Sequence, residues 1–320
     1  MDRRAFLAAA AALPFALRVE ASLAQTSGGT PLALVTADTE SSLVAVHLSS
    51  GRIVRRLATL PGPRSIESLA AGDVIVAHTN EGAVTIVDGR TLRVRRVLRS
   101  FGEPRYTAMS PRDPYAYVTD SARGEVAVLD LPQGRIVHRV SVGGPARHLG
   151  IDASGRALWV ALGTKAERLA LLDLADAARP RLVRRIRPPF LAHDVGFAPD
   201  GRVWVTSGDR RAIAIYDRRT RRVVHLLRGD APPQHVTFMS RTAYVTSGKE
   251  GTLRIHALDG RLLRTTRVPL GSYNVQHGWG RILTPSLARG TLCVVDRRGG
   301  LVERVQVAPS SHDACFVMTA

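Results

Sequence analysis

The chain has 320 residues, of which 45% are hydrophobic and 22% are charged. These proportions lie near globular averages and exclude a disordered chain, a collagen-like chain and a coiled coil. The formal charge of +18 is a value typical of proteins that meet nucleic acid or an anionic surface.

The first residues resemble a twin-arginine export signal. Arg3-Arg4 is followed by one residue and then by Phe6-Leu7, and an alanine-rich stretch too short to span a bilayer comes next. Ser22-Leu23-Ala24 supplies the small residues of a cleavage site, so residues 1–24 are predicted to be a signal peptide. An ordinary general-secretion signal is the alternative, but the apolar stretch is short and only mildly apolar for one. We therefore expect a periplasmic or secreted protein.

The predicted export bears on the redox state of the two cysteines, Cys293 and Cys315. An oxidising compartment permits a disulfide between them. Two cysteines in a chain of this length do not make a disulfide framework, however, and a core of this size needs none. We expect two buried thiols.

From residue 31 onward the sequence repeats one pattern seven times. In five copies, a strand of alternating apolar residues ends on Asp and leads through a short turn into a basic strand. Two degenerate copies, at 44–48 and 253–257, keep the alternation but lose the terminal Asp. The copies end at positions 48, 88, 130, 173, 217, 257 and 296, which gives a period of 39 to 44 residues. One unit shows four predicted strands, at 193–198, 203–207, 212–216 and 223–227. Such a period and strand number are typical of a propeller blade.

Three of the second strands share a motif: Tyr117-Val118-Thr119-Asp120, Trp204-Val205-Thr206-Ser207 and Tyr244-Val245-Thr246-Ser247. This motif resembles the YVTN β-propeller repeat, and the resemblance covers about residues 31–320. It implies an all-β, single-domain, seven-bladed ring. It does not imply an activity, because propellers host lactonases, lyases, electron-transfer subunits and binding platforms.

The two ends of the chain are predicted to complete one blade together. Residues 311–318 read as an inner strand with no further strands after it, whereas residues 32–57 supply three strands and lack an inner one. Pairing these segments closes the ring and removes the open strand edge that would recruit another chain. We therefore expect a monomer.

The basic residues concentrate on the fourth strand of each repeat, and only Lys165 and Lys249 are lysines. Charges on an exposed edge strand block edge-to-edge pairing, so this placement needs no ligand. No set of aromatic residues interleaves with the arginines, and we do not expect nucleic-acid binding. We do expect a weak, salt-sensitive attraction to anionic cell-envelope surfaces.

Polar side chains collect at the start of the predicted inner strands, at one mouth of the central channel, where propeller ligands usually bind. Because successive side chains of a strand point to opposite sides, the sequence does not say which of two adjacent columns faces the channel. One column reads Ile66, Tyr106, His148, Asp194, His235, Asn274 and Asp313, and the preceding column reads Ser65, Arg105, Arg147, His193, Gln234, Tyr273 and His312.

Three interpretations of these columns stay open. The polar groups can serve the structure by bonding to loops and neighbouring strands, or they can bind a small ligand or a protein partner. His148, Asp194 and His235 can instead hold a divalent ion such as Zn²⁺ or act as general acid and base. The chain has no Cys-x-x-Cys-His haem motif and no Gly-x-Ser-x-Gly nucleophile motif. We interpret the protein as a binding or scaffold protein, with a metal-assisted lyase or lactonase-like enzyme as the alternative.

Overall fold

A computed structural model describes residues 29–69 and 72–320 of the chain. The predicted signal peptide, residues 1–24, lies outside these described residues. Within them, the strands form seven antiparallel sheets of four strands each, which confirms the all-β, seven-bladed propeller. Two short 3-10 turns, Asp38–Glu40 and Thr79–Glu81, interrupt the strands. In the described part of the chain, no helix has the length and apolar character needed to cross a membrane.

The strands follow one another in chain order, four to a blade. The closing blade begins with β1 (Thr30–Ala37), β2 (Ser42–His47) and β3 (Ile53–Ala58). Blade 1 contains β4 (Pro63–Ser68), β5 (Asp73–His78), β6 (Ala83–Asp88) and β7 (Arg93–Leu98). Blade 2 contains β8 (Pro104–Met109), β9 (Tyr115–Asp120), β10 (Glu125–Asp130) and β11 (Arg135–Ser141), and blade 3 contains β12 (Ala146–Ile151), β13 (Ala157–Leu162), β14 (Leu169–Asp173) and β15 (Arg181–Ile186).

The remaining blades repeat this order. Blade 4 contains β16 (Ala192–Phe197), β17 (Val203–Ser207), β18 (Ala212–Tyr216) and β19 (Val223–Arg228). Blade 5 contains β20 (Gln234–Met239), β21 (Thr242–Ser247), β22 (Thr252–Ala257) and β23 (Leu262–Arg267). Blade 6 contains β24 (Gln276–Gly278), β25 (Arg281–Pro285), β26 (Thr291–Asp296) and β27 (Leu301–Gln306), and β28 (Ser311–Thr319) is the inner strand of the closing blade.

The ring closes where the first strand meets the last. β1 pairs with β28 in antiparallel register, with Leu32 opposite Val317 and Leu34 opposite Cys315. The C-terminal inner strand therefore completes a blade begun at the N-terminus, as predicted. This closure joins residues almost 290 positions apart, and it supplies the inner strand that the N-terminal blade lacks.

The hydrophobic core lies between neighbouring blades, because each sheet buries both of its faces. In one cluster, Leu34 of the closing blade packs with Val76 of blade 1. Between blades 3 and 4, the rings of Trp159 and Tyr216 meet edge to face with centroids 5.6 Å apart. Cys293 and Cys315 are buried free thiols, as the sequence predicted.

The threonine of the YVT motif connects adjacent inner strands. The buried Thr206 hydroxyl donates to the carbonyl of Gln234 in the next blade at 2.6 Å, and it accepts from the amide of Asp194 in its own blade at 3.1 Å. Thr119 makes the same pair of bonds to Arg147 and Tyr106. One hydroxyl therefore satisfies two buried backbone groups that belong to different blades.

The aspartate that ends five of the seven repeats closes the turn before the outermost strand. Asp88 Oδ1 accepts from the amides of Arg90 and Thr91, both at 2.9 Å. Asp296 accepts in the same way from Arg298 and Gly300 at 2.7 and 2.8 Å. The repeated Asp is thus explained by turn geometry.

The arginine-rich strands are the outermost strands of their sheets, as predicted. On β7, for example, Arg93, Arg95 and Arg96 lie among the exposed Val94 and Val97. In blade 4 the predicted arginines, Arg219, Arg221 and Arg222, lie instead in the turn before β19. The positive charge is distributed around the circumference of the ring.

We expect Thr206→Val to destabilise the fold. The substitution keeps the side-chain shape but leaves a buried amide and a buried carbonyl without their partner, which should lower the free energy of unfolding by about 2–3 kcal/mol. Guanidinium unfolding measures this change. Thr85→Val is the matched control, since the hydroxyl of Thr85 is equally buried but has no partner. Equal losses in the two variants would contradict the bridging role.

Candidate functional site

The inner strands that carry the candidate residues are irregular at the same place. In β8, β12, β16 and β28 the pairing register shifts just after the first residue, so two residues lie opposite one residue of the next strand. A bulge of this kind re-aims side chains and breaks the alternation between the two sides of a strand. Side chains from both predicted columns therefore reach the same region. The residues in the four bulges are Arg105 and Tyr106, Arg147 and His148, His193 and Asp194, and His312 and Asp313.

A cavity of about 440 Å³ occupies the channel on one side of these residues. Its floor includes Tyr106, His148 and His235, and it extends along the inner strands to the hairpin turns that hold Ala153 and Pro199. Other lining residues include Ser65, Glu67, Asp194, Asn274, Asp313 and His277. Six of the candidate residues line this cavity, and all of them except the half-buried Tyr106 are buried: Tyr106, His148, Asp194, His235, Asn274 and Asp313. His148, for example, is only 1% exposed.

Three histidines from consecutive blades meet at this floor. One ring nitrogen from each of His148, His193 and His235 lies within 4.8 Å of the others. The closest pair is Nε2 of His193 and Nε2 of His235, which are 3.3 Å apart. The ring centroid of His148 lies 4.3 Å from the ring centroid of His193 and 4.7 Å from that of His235.

Neighbouring groups set the orientation of two of these rings. Nδ1 of His193 lies 2.8 Å from the carbonyl oxygen of Thr164, which can only accept, so this nitrogen carries the proton. Nδ1 of His235 faces the carboxylate of Asp194 at 3.7 Å. Both arrangements leave Nε2 as the nitrogen directed at the cluster. Neither ring nitrogen of His148 has a hydrogen-bond partner.

Burial keeps the three imidazoles neutral. It lowers the pKa of His193 to about 4, and it holds the pKa values of His148 and His235 well below their ordinary range. The charge of Arg147, and the repulsion that would arise if two neighbouring rings were both protonated, lower these pKa values further. A neutral imidazole has a free lone pair, which is the form that accepts a hydrogen bond or ligates a metal.

The two buried aspartates bond mainly to the backbone. Asp194 accepts from the amide of Val195 at 2.8 Å and from the amide of Val236 in the next blade at 2.9 Å. Asp313 makes the equivalent bonds to Ala314 and Ile66. These bonds join adjacent blades, which is the structural role considered for this column. Burial nevertheless raises the pKa of Asp194 to about 6 and that of Asp313 well above its usual range.

These bonds also correct the alignment of blade 1. Since Asp313 binds the amide of Ile66 as Asp194 binds that of Val236, Ile66 corresponds to Val236. Ser65 therefore corresponds to His235, and Arg64 takes the place assigned to Ser65. β4 has a bulge of the same size, at Arg64 and Ser65, and the alignment on apolar residues was displaced by one position in this blade.

Three arginines, Arg64, Arg105 and Arg147, consequently occupy one register position in blades 1 to 3. Arg64 Nε lies 3.2 Å from Asp38, and Arg105 donates to Glu103 at 2.8 Å. Nε of Arg147 is buried without a partner. Burial and the charge of Arg64 lower the pKa of His312 to about 4.

The other predicted site residues lie around the histidines. The ring of Tyr106 stacks on His148 with centroids 4.0 Å apart. Asn274 donates to the carbonyl oxygen of His312 at 2.8 Å, and its amide lies 3.2 Å from Nδ1 of the same histidine. Sequence reasoning missed Glu67, which lines the cavity and accepts from Gln276 at 3.1 Å. Side chains two residues apart on a strand point to the same side, so the position of Ser65 in the sequence could have identified Glu67 as a channel residue.

The fold defines the chain as a seven-bladed β-propeller, and solved structures share that fold. A protein of unknown function from Desulfotomaculum acetoxidans DSM 771 superposes with a TM-score of 0.78 at 11% identity, over 90% of this chain and 99% of the other. Hydrazine synthase of Kuenenia stuttgartiensis gives 0.68 at 16% identity, over 82% and 96%. The dihydro-heme d1 dehydrogenase NirN, in complex with DHE, gives 0.65 at 15% identity, over 89% and 74%.

At these identities the likeness concerns the fold alone. No protein-family profile matches the chain, and no curated protein matches its sequence.

Glu67→Gln should stabilise the protein at alkaline pH. Burial raises the pKa of Glu67 from 4.5 to about 7, so ionisation opposes folding. This penalty is absent below pH 4.5, grows as the pH rises to 7 and is constant above it. Because the Glu67 side chain is half-buried and lines the cavity, solvent screening reduces this penalty, and we expect a gain of about 1–2 kcal/mol at pH 8.

Chemical unfolding at pH 4 and pH 8 tests this expectation. At pH 4 the free energy of unfolding should be the same for the variant and the wild type. The exposed Glu167→Gln is the control and should show no pH-dependent gain. A stabilisation by Glu67→Gln that is equal at both pH values would contradict burial as its cause.

Proposed function

We propose that this protein is an exported β-propeller that binds a small ligand in its central channel. The observation that carries the proposal is His148, whose two ring nitrogens are buried without a hydrogen-bond partner at the floor of the cavity. Burying a polar group without a partner costs about 1–3 kcal/mol, and sites that keep such groups commonly serve a bound molecule.

The dimensions and lining of the cavity support the same proposal. Its volume of about 440 Å³ lies within the range that small-molecule sites occupy. Apolar side chains such as Val195 and Phe238 form its walls, while Tyr106, His148 and His235 supply polar groups at the floor. An apolar wall with a few converging polar groups is the usual composition of a ligand site.

The YVTN-type repeat also supports a binding role. The shared threonine joins the blades into a rigid ring, and a rigid ring holds side chains from several blades in fixed positions around one channel. Among the structural neighbours, NirN was solved in complex with a ligand, DHE. The arginines of the circumference supply weak, salt-sensitive attraction to anionic surfaces as a separate property.

The grouping of three histidines favours a second candidate function. A metal-assisted lyase or lactonase-like enzyme would use the same cavity, because three imidazoles with one open position form the ligand set of catalytic zinc. To support this candidate function, the protein must convert a substrate as well as bind it.

Export is the remaining part of the proposal. Arg3-Arg4 and Phe6-Leu7 support it, and the first strand begins at Thr30, so cleavage after Ala24 would leave every blade intact. A twin-arginine route would carry the propeller across the membrane after folding.

A cavity-filling substitution tests ligand binding. We expect some members of a library of small organic acids, sugars and nucleosides to raise the melting temperature of the mature protein, by about 5 °C at one hundred times their Kd. Ala108 lines the cavity, and Ala108→Trp should abolish the shift. Val224→Trp, on the exposed outermost strand of blade 4, should leave it unchanged. Shifts that persist in Ala108→Trp would place the binding elsewhere and contradict the proposal.

Replacing Arg3 and Arg4 together by Lys should block export. We expect the double variant to accumulate in the cytoplasm of a bacterial host with its leader intact, whereas the wild type appears outside the cytoplasm in shortened form. Cell fractionation and mass determination of the N-terminus measure both. Unchanged export of the variant would contradict the twin-arginine route and favour the general-secretion signal.

A further inference from the structure

We infer that His148, His193 and His235 bind one divalent transition-metal ion at the floor of the cavity, with an open coordination position that faces the cavity. The inference rests on the proposed function in one respect, since the cavity ligand would occupy that open position. Among the residues that the structure describes, these three side chains come from the inner strands of blades 3, 4 and 5.

The spacing of the ring nitrogens fits a tetrahedral ion. Zinc–nitrogen bonds of about 2.1 Å at the tetrahedral angle place two ligating nitrogens about 3.4 Å apart. The Nε2 atoms of His193 and His235 are 3.3 Å apart. The third histidine contributes a nitrogen within 4.8 Å of both. A small rotation of His148, which no hydrogen bond opposes, would complete the set.

A shared proton explains this arrangement less completely than a metal does. A proton between the two Nε2 atoms would satisfy His193 and His235 but would leave both nitrogens of His148 unpartnered in the core. It would also require His235 to turn an unprotonated Nδ1 toward the carboxylate of Asp194. A metal ion accepts lone pairs from all three rings at once.

The groups behind the rings are those that metal-binding histidines usually have. The carbonyl of Thr164 holds Nδ1–H of His193, and the carboxylate of Asp194 faces Nδ1 of His235. Asp194 is in turn held by the amides of Val195 and Val236. Such partners fix the tautomer and the ring orientation, so that Nε2 presents its lone pair to the ion.

The surrounding charges can accommodate a cation. Arg147 is the nearest positive group, and it lowers the pKa of all three histidines. Arg64 and Arg105 are paired with Asp38 and Glu103. The carboxylate of Asp194, which lies 3.7 Å from Nδ1 of His235, offsets part of the charge of an added ion. Three nitrogen donors favour zinc, cobalt, nickel or copper over magnesium and calcium.

The open position defines the class of ligand. His148 and His235 line the cavity, so an ion held by them is accessible from it. A small molecule with a carboxylate, carbonyl or other oxygen donor could coordinate the ion while its apolar part contacts Val195 and Phe238.

Titration of the tag-free mature protein with zinc chloride after chelator treatment tests the inference. Calorimetry should show one ion per chain, and bound Co²⁺ should show the intense visible absorption of a tetrahedral site. We expect His148→Ala and His235→Ala each to weaken zinc binding by at least about 100-fold. His225→Ala is the matched control, since His225 lies exposed on the outermost strand of blade 4, and it should bind zinc as the wild type does.

His148→Gln is the second variant, in case His148→Ala does not fold. It keeps a polar side chain of similar size and should also lose the cobalt spectrum while retaining the far-UV circular dichroism of the wild type. The absence of saturable zinc binding by wild-type protein would overturn the inference. So would an equal loss of zinc binding in His225→Ala, which would indicate adventitious binding at surface histidines.

The variant Ala108→Trp separates this inference from the proposed function. It should retain zinc and the cobalt spectrum while it loses the small-molecule ligand. Ligand binding without zinc would refute the metal site and leave the proposed function standing. Zinc binding without binding of any small molecule in the cavity would support the metal site and contradict the proposed function.

Discussion

The structure depends on the hydrogen bonds that join one inner strand to the next. The hydroxyls of Thr119 and Thr206 each bond to a carbonyl in the following blade and to an amide in their own, and Asp194 and Asp313 add bonds to amides across the same boundary. Backbone groups beside a β-bulge lose their ladder partners and would otherwise remain unsatisfied in the core. The side-chain bonds therefore permit the bulges, and the bulges in turn direct the functional candidates into the channel.

This arrangement places structural and ligand-binding groups side by side. Asp194 bonds to two backbone amides and also faces His235, so one carboxylate contributes to blade cohesion and to the orientation of an imidazole. His193 also joins blades, through the carbonyl of Thr164 and Nε2 of His235, whereas neither ring nitrogen of His148 has a hydrogen-bond partner. A ring stabilised by its threonines and aspartates can retain such an unsatisfied group. The group costs about 1–3 kcal/mol of folding free energy, which is small beside the free energy gained by burying seven hydrophobic clusters.

Charge is separated in the same architecture. Exposed arginines lie on the outermost strands, where they protect edges, whereas the channel holds neutral imidazoles and three carboxyl groups with raised pKa values, those of Glu67, Asp194 and Asp313. Burial lowers the pKa of a base and raises that of an acid, so both kinds of group lean toward their neutral forms. A ligand or ion that enters the cavity therefore meets the free lone pairs of neutral imidazoles.

The order of residues along the chain was enough to predict the propeller, because strand alternation and turn chemistry are local and seven imperfect copies reinforce one another. Closure by residues 311–318 was predictable for the same reason, since that segment lacks any other partner strand. The meeting of His193 with His148 and His235 was not predictable. It depends on bulges that place both columns in one layer, and on contacts between blades some 42 residues apart in sequence. Such contacts exist only after the ring has closed, because only then do separate inner strands share a channel.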